Sequence, residues 1–76
     1  MEYKVLLRQK IKVYGDVFHV ELRKYRQNYY QLVDLYTNCE HDRGCPYSAL
    51  TDAIRGFEAA TGKRLTDELK EYLKES

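Results

Sequence analysis

The first part of the chain alternates apolar and polar residues with a period of two. Between Tyr3 and Tyr14 the apolar positions are Tyr3, Val5, Leu7, Ile11 and Val13. The positions between them carry the cations Lys4, Arg8, Lys10 and Lys12. Because successive side chains of a strand point to opposite faces, this pattern predicts a β-strand with an apolar inner face and a basic outer face.

Gly15-Asp16 predicts a two-residue hairpin loop after this strand, since glycine takes the positive φ that such a loop needs at its first central position. The loop places Tyr14 opposite Val17. The resulting register opposes apolar residues on the inner face and polar residues on the outer face, in the pairs Val13 with Phe18, Ile11 with Val20, Gln9 with Leu22, Lys12 with His19 and Lys10 with Glu21.

A third strand is predicted from Tyr29 to Thr37, after a turn at Gln27-Asn28. The preferred register places Arg26 opposite Tyr29. It then keeps apolar residues together in the pairs Leu22 with Val33 and Val20 with Leu35. A shift of one residue would turn Asp34 toward the core, which disfavours it.

The later part of the chain changes to a helical period. Pro46 suits the first turn of a helix that ends at Gly62, and the apolar face of this helix is made by Leu50, Ala53, Ile54 and Phe57. A short second helix is predicted after Gly62-Lys63-Arg64. Its features are Thr66 as the cap, Asp67 and Glu68 in the first turn, and the apolar residues Leu69, Tyr72 and Leu73.

Strands followed by helices in a chain of 76 residues predict a single α+β domain that spans residues 1–76. The expected fold is a three-stranded antiparallel β-meander packed against one main helix, followed by a second short C-terminal helix (βββαα). The predicted core face of the sheet consists of Val5, Leu7, Ile11, Val13, Phe18, Val20, Leu22, Val33 and Leu35.

Composition narrows the setting. No apolar run approaches the roughly 20 residues that span a bilayer, and Met1-Glu2-Tyr3-Lys4 lacks the apolar run of a secretory signal, so a cytoplasmic protein without a membrane partner is expected. Cys39 and Cys45 are expected to be free thiols there, with a disulfide across the loop as the alternative. The net charge of +1 divides unevenly, with +4 over residues 1–30 and −3 over the remainder.

The outer face of the predicted sheet interleaves cations with tyrosines. The candidate binding residues on it are Lys4, Arg8, Lys10, Lys12, Tyr14, Arg23, Tyr25, Tyr30 and Tyr36, with His19 among them. Cations neutralise phosphates and aromatic rings stack on bases, so the mixture predicts a small non-catalytic module that binds nucleic acid. Glu21 and Asp34, opposite each other in the predicted register, count against a polyanion.

Two other interpretations fit the same residues. Tyrosine and arginine are also enriched at protein interfaces, which favours a protein–protein interaction module such as a small inhibitor or adaptor. Alternatively, tyrosines occur here because they suit strands, and the charges keep an exposed edge soluble. The cations of the first strand discourage pairing between copies, so a monomer is weakly favoured.

Cys39, His41 and Cys45 lie within one loop but lack the paired spacing of a zinc site, so no metal and no cofactor is predicted. Cys45 before the first helix, with His41 nearby, has the character of a nucleophile and base. A three-stranded sheet with one main helix gives little depth for a substrate pocket, so no catalytic residue, no enzyme activity and no small-molecule substrate is expected.

The predicted order of three antiparallel strands and a helix, from Tyr3 to Thr61, resembles the arm-binding domains of tyrosine recombinases and some plant transcription factors, which lay such a sheet against DNA. It also resembles the compact α+β proteins with which mobile elements block host enzymes. Both resemblances are of architecture, and they imply DNA or a protein as the partner of the outer face.

Overall fold

The structure is a computed structural model that describes residues 2–75. Its elements are β1 (Lys4–Val13), β2 (Asp16–Arg26), β3 (Tyr29–Leu35), β4 (Glu40–Asp42), α1 (Leu50–Thr61) and α2 (Asp67–Lys74). The strands form one antiparallel sheet in the order β1-β2-β3-β4. The predicted α+β fold, a meander followed by two helices, is confirmed. The short strand β4 is an addition to the predicted sheet.

The hairpin between β1 and β2 turns one residue earlier than expected. Tyr14 and Gly15 occupy its two central positions with φ of 48° and 87°, and Val13 lies opposite Asp16. Positive φ at both positions is the geometry of a type I′ turn. The predicted Gly15-Asp16 loop is therefore wrong, and the register moves by two residues. Because side chains alternate with a period of two, each residue beside the turn keeps its predicted face.

A β-bulge interrupts β1, since the register shifts between Val5 and Leu7. Leu6 and Leu7 both pack against the core, whereas Val5 lies opposite Arg23 and is 44% exposed. The predicted core position of Val5 is therefore wrong. Three successive apolar residues at this point of the sequence cannot all follow a period of two, and the bulge resolves the conflict.

A second bulge interrupts β2 between Lys24 and Arg26. Arg26 lies opposite Tyr29 as predicted, but beyond the bulge Leu22 lies opposite Leu32 and Val20 opposite Asp34. The side chains of β3 therefore occupy the faces opposite to those predicted. Tyr30 and Leu32 enter the core, whereas Val33 and Leu35 face away from it, which corrects the predictions for Tyr30, Val33 and Leu35.

Asp34 comes to lie on the core side of the sheet, which the sequence analysis treated as unfavourable. Its carboxylate is mostly buried but accepts a hydrogen bond of 3.2 Å from Arg43 Nη1. A carboxylate paired with a cation costs far less than an unpaired one in the interior. Arg43 therefore makes the observed register tolerable.

The chain after β3 returns along that strand. The Tyr36 N–H donates to the Cys39 carbonyl over 2.8 Å, and Tyr30 and Tyr47 exchange backbone hydrogen bonds of 2.9 and 2.8 Å. Between these contacts the Gln31 side-chain amide donates to the Gly44 carbonyl over 3.2 Å. Pro46 belongs to this segment, which is hydrogen-bonded along β3, so its predicted place in the first turn of α1 is wrong.

The end of α1 and the start of α2 lie where local chemistry predicts. Ala53, Ile54 and Phe57 form the buried face of α1, and Gly62 ends the helix with φ of 71°. The Thr66 side chain caps α2 by accepting the Leu69 N–H over 3.2 Å. Tyr72, predicted on the apolar face of α2, is 67% exposed and lies outside the core.

Both helices bury their apolar side chains against one side of the sheet, which we call the helix-side face. The buried cluster there consists of Val20, Leu22, Tyr30, Leu32, Ala53, Ile54, Phe57 and Leu73. Phe18 is half-buried beside it, and the predicted core residue Val13 is exposed near the turn. The domain is 17 Å across its shortest axis, which fits one sheet layer and one helix layer.

Gly56 allows α1 to pack closely on Tyr47 and Leu32. A Cβ at residue 56 would lie 2.9 Å from Tyr47 Cζ and 3.1 Å from Leu32 Cδ1, inside the usual contact distance of roughly 3.5 Å. Gly56→Ala is therefore expected to lower the free energy of unfolding by about 1–3 kcal/mol through overpacking. It does so although alanine is the better helix former by about 1 kcal/mol.

Exposed Ala59 in the same helix provides the matched control. Ala59→Gly is expected to cost about 1 kcal/mol through helix propensity alone, so glycine is the better residue at 56 and the worse one at 59. Urea denaturation of both variants measures the two signs. A Gly56→Ala variant more stable than the wild type would contradict the close contact.

Candidate functional site

The side of the sheet away from the helices, which we call the helix-free face, carries side chains from all four strands. By the register it comprises Val5, Arg8, Lys10 and Lys12 of β1, Val17, His19, Glu21 and Arg23 of β2, Gln31, Val33 and Leu35 of β3, and Glu40 and Asp42 of β4. Its middle is buried although the helices pack on the opposite side, since Glu21, Arg23, Gln31 and Val33 are all nearly inaccessible to solvent.

Charged side chains cover this face. Arg23 Nε donates to Glu21 Oε1 over 2.7 Å, and Arg23 Nη2 donates to Glu40 Oε2 over 2.9 Å. Arg8 Nε lies 3.9 Å from the other Glu21 oxygen. Because Arg23 is on β2 and Glu40 on β4, their ion pair spans β3, where Val33 is only 1% exposed. The sheet thus covers its own open face.

Two tyrosines close one end of this charge cluster. The Arg23 guanidinium carbon lies 4.0 Å from the centroid of the Tyr3 ring, and Arg23 Nη1 donates to Tyr25 Oη over 3.4 Å. The Tyr3 and Tyr25 ring centroids are 5.4 Å apart. A desolvated cation–π contact contributes about 2 kcal/mol, so the rings help to hold the guanidinium in place.

The electrostatics of Arg23 and Glu40 follow from their pairing. Burial alone would lower the pKa of the Arg23 guanidinium, but hydrogen bonds to Glu40, Tyr25 and Glu21 outweigh burial and raise that pKa above its ordinary value. The hydrogen bond from Arg23, and then its charge, hold the pKa of the Glu40 carboxyl below its ordinary value. Arg23 is therefore a permanent cation whose charge is locally compensated.

The structure brings five of the predicted site residues together and separates the others. Arg8, Lys10, Lys12 and Arg23 lie on the helix-free face, and Tyr25 joins them through its contact with Arg23. Glu21 is on the same face as predicted, but it lies opposite Val33, because Asp34 is on the other face.

Three predicted residues lie elsewhere because of the bulges. Lys4 lies opposite Lys24 on the helix-side face, since the bulge at Leu6 reverses its orientation. Tyr30 is in the core, and Tyr36 stacks on Phe18 with ring centroids 5.1 Å apart. The predicted outer-face positions of Lys4, Tyr30 and Tyr36 are therefore wrong.

Tyr14 is at the tip of the β1–β2 hairpin, where its side chain is completely exposed. Its φ of 48° lies in the left-handed region that bulky residues rarely adopt. Val13 and Val17 beside it are also exposed. The hairpin tip is therefore an apolar projection at one end of the sheet.

Two residues that complete the cluster were not predicted from the sequence. Tyr3 was expected on the inner face, and Glu40 was expected in a polar loop. The apolar run of residues 5–7 is the one local sign of the bulge that brings Tyr3 over Arg23. Glu40 has no comparable local sign, because its partner is 17 residues away in sequence.

The surroundings of Cys39, His41 and Cys45 also differ from those predicted. Cys39 Sγ lies 3.4 Å from His41 Nε2, and Cys39 and Cys45 are exposed free thiols. Cys45 does not adjoin a helix start, because α1 begins at Leu50. Within residues 2–75, no three His, Cys, Asp or Glu side chains come close enough together to hold a metal ion.

Comparison with known proteins provides no further guide. No known protein family matches the sequence, and no curated protein and no solved structure matches it significantly. None of the helices within residues 2–75 combines the length and apolar character needed to cross a membrane. Function is therefore inferred from the chemistry of the surface.

The Arg23–Glu21 pair is expected to be a main determinant of stability, because both side chains are about 95% buried. Arg23→Met leaves the Glu21 carboxylate without its closest partner and should lower the free energy of unfolding by about 3–5 kcal/mol. The double variant Glu21→Leu/Arg23→Met should recover much of that loss, since no uncompensated charge then stays buried. Chemical denaturation of the single and double variants measures both effects.

Glu40→Gln serves as the comparison, because this carboxylate is mostly exposed and the glutamine oxygen can still accept a hydrogen bond from Arg23, so the loss of stability should be smaller. An Arg23→Met variant no less stable than Glu40→Gln would contradict the importance of the buried pair.

The contribution of the Arg23–Glu40 pair is expected to depend on pH. Because the pKa of Glu40 is lowered in the folded state, the unfolded chain binds more protons in the acid range. The stabilisation is complete above the ordinary carboxyl pKa of 4.5 and is lost as the pH falls through the lowered value. The difference in melting temperature between wild type and Glu40→Gln should therefore shrink from about pH 6 to about pH 3. A difference that persists unchanged in acid would show that the charge of Glu40 is not its cause.

Proposed function

We propose that this chain is a non-catalytic protein-binding module that contacts its partner through the helix-free face and the adjoining hairpin tip. The observation that supports this is that the charges at the centre of the face are neutralised by its own side chains. Arg8 and Arg23 are paired with Glu21 and Glu40, while Tyr3, Val5 and Val17 around them are exposed. Tyrosine and arginine beside apolar groups, with few uncompensated charges, is the composition of protein interface centres.

The pre-ordered state of the face favours binding. Immobilising a long side chain at an interface costs about 0.5–1.5 kcal/mol. Arg23 is already held by Glu21, Glu40 and Tyr25, and its contact with the Tyr3 ring fixes the guanidinium plane further. A partner that docks on this face therefore need not immobilise Arg23.

The hairpin tip extends the proposed contact surface. A left-handed conformation costs an ordinary residue roughly 1–2 kcal/mol, and asparagine or glycine would occupy the position of Tyr14 more easily. Strained positions of this kind cluster at functional sites. Tyr14 buries nothing in the domain itself, so its ring is available as an anchor for a partner's pocket.

Nucleic-acid binding stays a second prediction, and a specific observation favours it. Lys10 and Lys12 are exposed and form no ion pair with any residue between 2 and 75. Against it, Glu21, Glu40 and Asp42 share their face and would repel phosphates. We therefore favour a protein partner.

Site-specific photocross-linking tests the proposed function. A photoreactive phenylalanine analogue replaces Val17 on the helix-free face or Tyr14 at the tip, and in a control it replaces exposed Tyr72 on α2. We expect a partner adduct from the first two positions and none from the third. With the partner identified, Tyr14→Ala should weaken binding by at least about tenfold, the effect of a moderate interface hot spot, whereas Tyr72→Ala should leave it unchanged.

Oligonucleotide titrations at low salt complete the test. Binding that weakens with salt at a log–log slope of about −0.7 per neutralised phosphate on a single strand, without any protein adduct, would replace the proposal by the nucleic-acid prediction. Adducts from Tyr72 alone would place the interface on α2 and overturn the proposed surface.

A further inference from the structure

The outer edge of β1 is a second surface with binding capacity. β1 has 10 residues and pairs with β2 on one side, while its other side is an edge of the sheet. At the opposite edge β4 has only 3 residues. β1 therefore presents the longer row of backbone N–H and C=O groups that no neighbouring strand satisfies.

The hairpin geometry identifies which backbone groups point outward. The Tyr14-Gly15 loop closes on the pair Val13 and Asp16, and a two-residue loop of this kind closes on a hydrogen-bonded pair. Hydrogen-bonded and non-hydrogen-bonded pairs alternate along an antiparallel ladder. The backbone groups of Arg8, Lys10 and Lys12 are therefore directed away from β2.

The charged side chains along this edge all have the same sign. β1 carries four cations and no carboxylate. Arg8, Lys10 and Lys12 lie on the helix-free face, and Leu7, Ile11 and Val13 lie on the other together with Gln9. On that helix-side face Leu7 and Ile11 are only half-buried and Val13 is exposed, so the core is incompletely covered along this edge.

We propose that the outer edge of β1 accepts an extended segment of a partner protein as a fifth strand, in which acidic residues alternate with apolar residues. The carboxylates would lie opposite Arg8, Lys10 and Lys12, and the apolar side chains would cover Leu7 and Ile11. The same cations oppose the pairing of β1 with a second copy of itself, so the edge selects an acidic strand against self-association. The inference rests on the proposed protein-binding function but uses the backbone edge of β1, which is separable from the centre of the helix-free face around Arg23 and Val33.

An NMR titration with a synthetic peptide of about seven alternating glutamate and valine residues tests this proposal. The amide signals of Arg8, Lys10 and Lys12 should shift saturably, and their hydrogen exchange should slow. The apparent affinity should fall as salt is added. A matched peptide with lysine in place of glutamate should not bind.

Two variants separate strand pairing from charge attraction. Lys10→Ala removes one charge and keeps the outward N–H, whereas Lys10→Pro removes both and leaves the bonds between β1 and β2 in place. Lys10→Pro should bind the glutamate peptide about tenfold more weakly than Lys10→Ala, the effect of one lost hydrogen bond. A synthetic chain N-methylated at Lys10 keeps the charge, and it should show the same loss even if the proline variant fails to fold.

Each of three outcomes would overturn the edge proposal. The first is that Lys10→Ala and Lys10→Pro weaken peptide binding equally while N-methylation has no effect. The second is that the lysine peptide binds as well as the glutamate peptide, and the third is that the shifts of amide signals are confined to Tyr25 and Val33. The last would place the peptide on the helix-free face and support the proposed function instead. Failure of the peptide to bind β1, together with photocross-linking at Val17, would reject the edge and retain the protein-binding function.

Discussion

The buried Arg23 guanidinium is the constraint on which the open side of the sheet depends. An unpaired cation at this depth would cost several kcal/mol, so folding must supply carboxylates on both sides of it. Glu21 comes from the same strand, but Glu40 requires the chain to return along β3. The short strand β4 is thus tied to the middle of the sheet by an ion pair, and the Gln31 side chain secures the loop that follows it.

This arrangement explains how a small two-layer domain buries both sides of its sheet. Helices cover one face in the ordinary way, while the other is covered by long side chains that lie flat across β3. Such a cover is polar on its outer surface and apolar beneath, where the aliphatic stem of Arg23 lies. The domain therefore needs no third layer.

The features that could be predicted from the sequence depend on local chemistry. The period of β1, the glycine that ends α1 and the threonine that caps α2 each act within a few residues, and they give the fold class, the end of α1 and the start of α2. The positions of Arg8, Lys10, Lys12 and Arg23 on one face follow from the same period. The face of each of these residues does not change when the register moves by two residues, so the error in the position of the turn did not affect them.

The remaining features depend on contacts that are distant in sequence. A bulge inserts one residue without changing the composition, so alternation alone did not place Tyr30 in the core or Tyr3 over Arg23. The turn was misplaced because steric rules disfavour tyrosine at positive φ. Glu40 looked like a loop residue because Arg23, its partner, belongs to another strand.

The bulge at Leu6 has a consequence for how β1 tolerates changes in length. Leu6 is the extra residue of the strand, opposed to no single residue of β2. A chain shortened by one residue at this point would lose some apolar burial, yet Tyr3 and Val5 would keep their neighbours on β2. A deletion nearer the turn has no extra residue next to it. It would move the preceding residues of β1 to the opposite face of the sheet, up to the bulge if the bulge were lost and along the whole strand if it were kept. Because β1 contains this one unpaired residue, its first residues can keep their pairing with β2 when the strand is shortened by one residue.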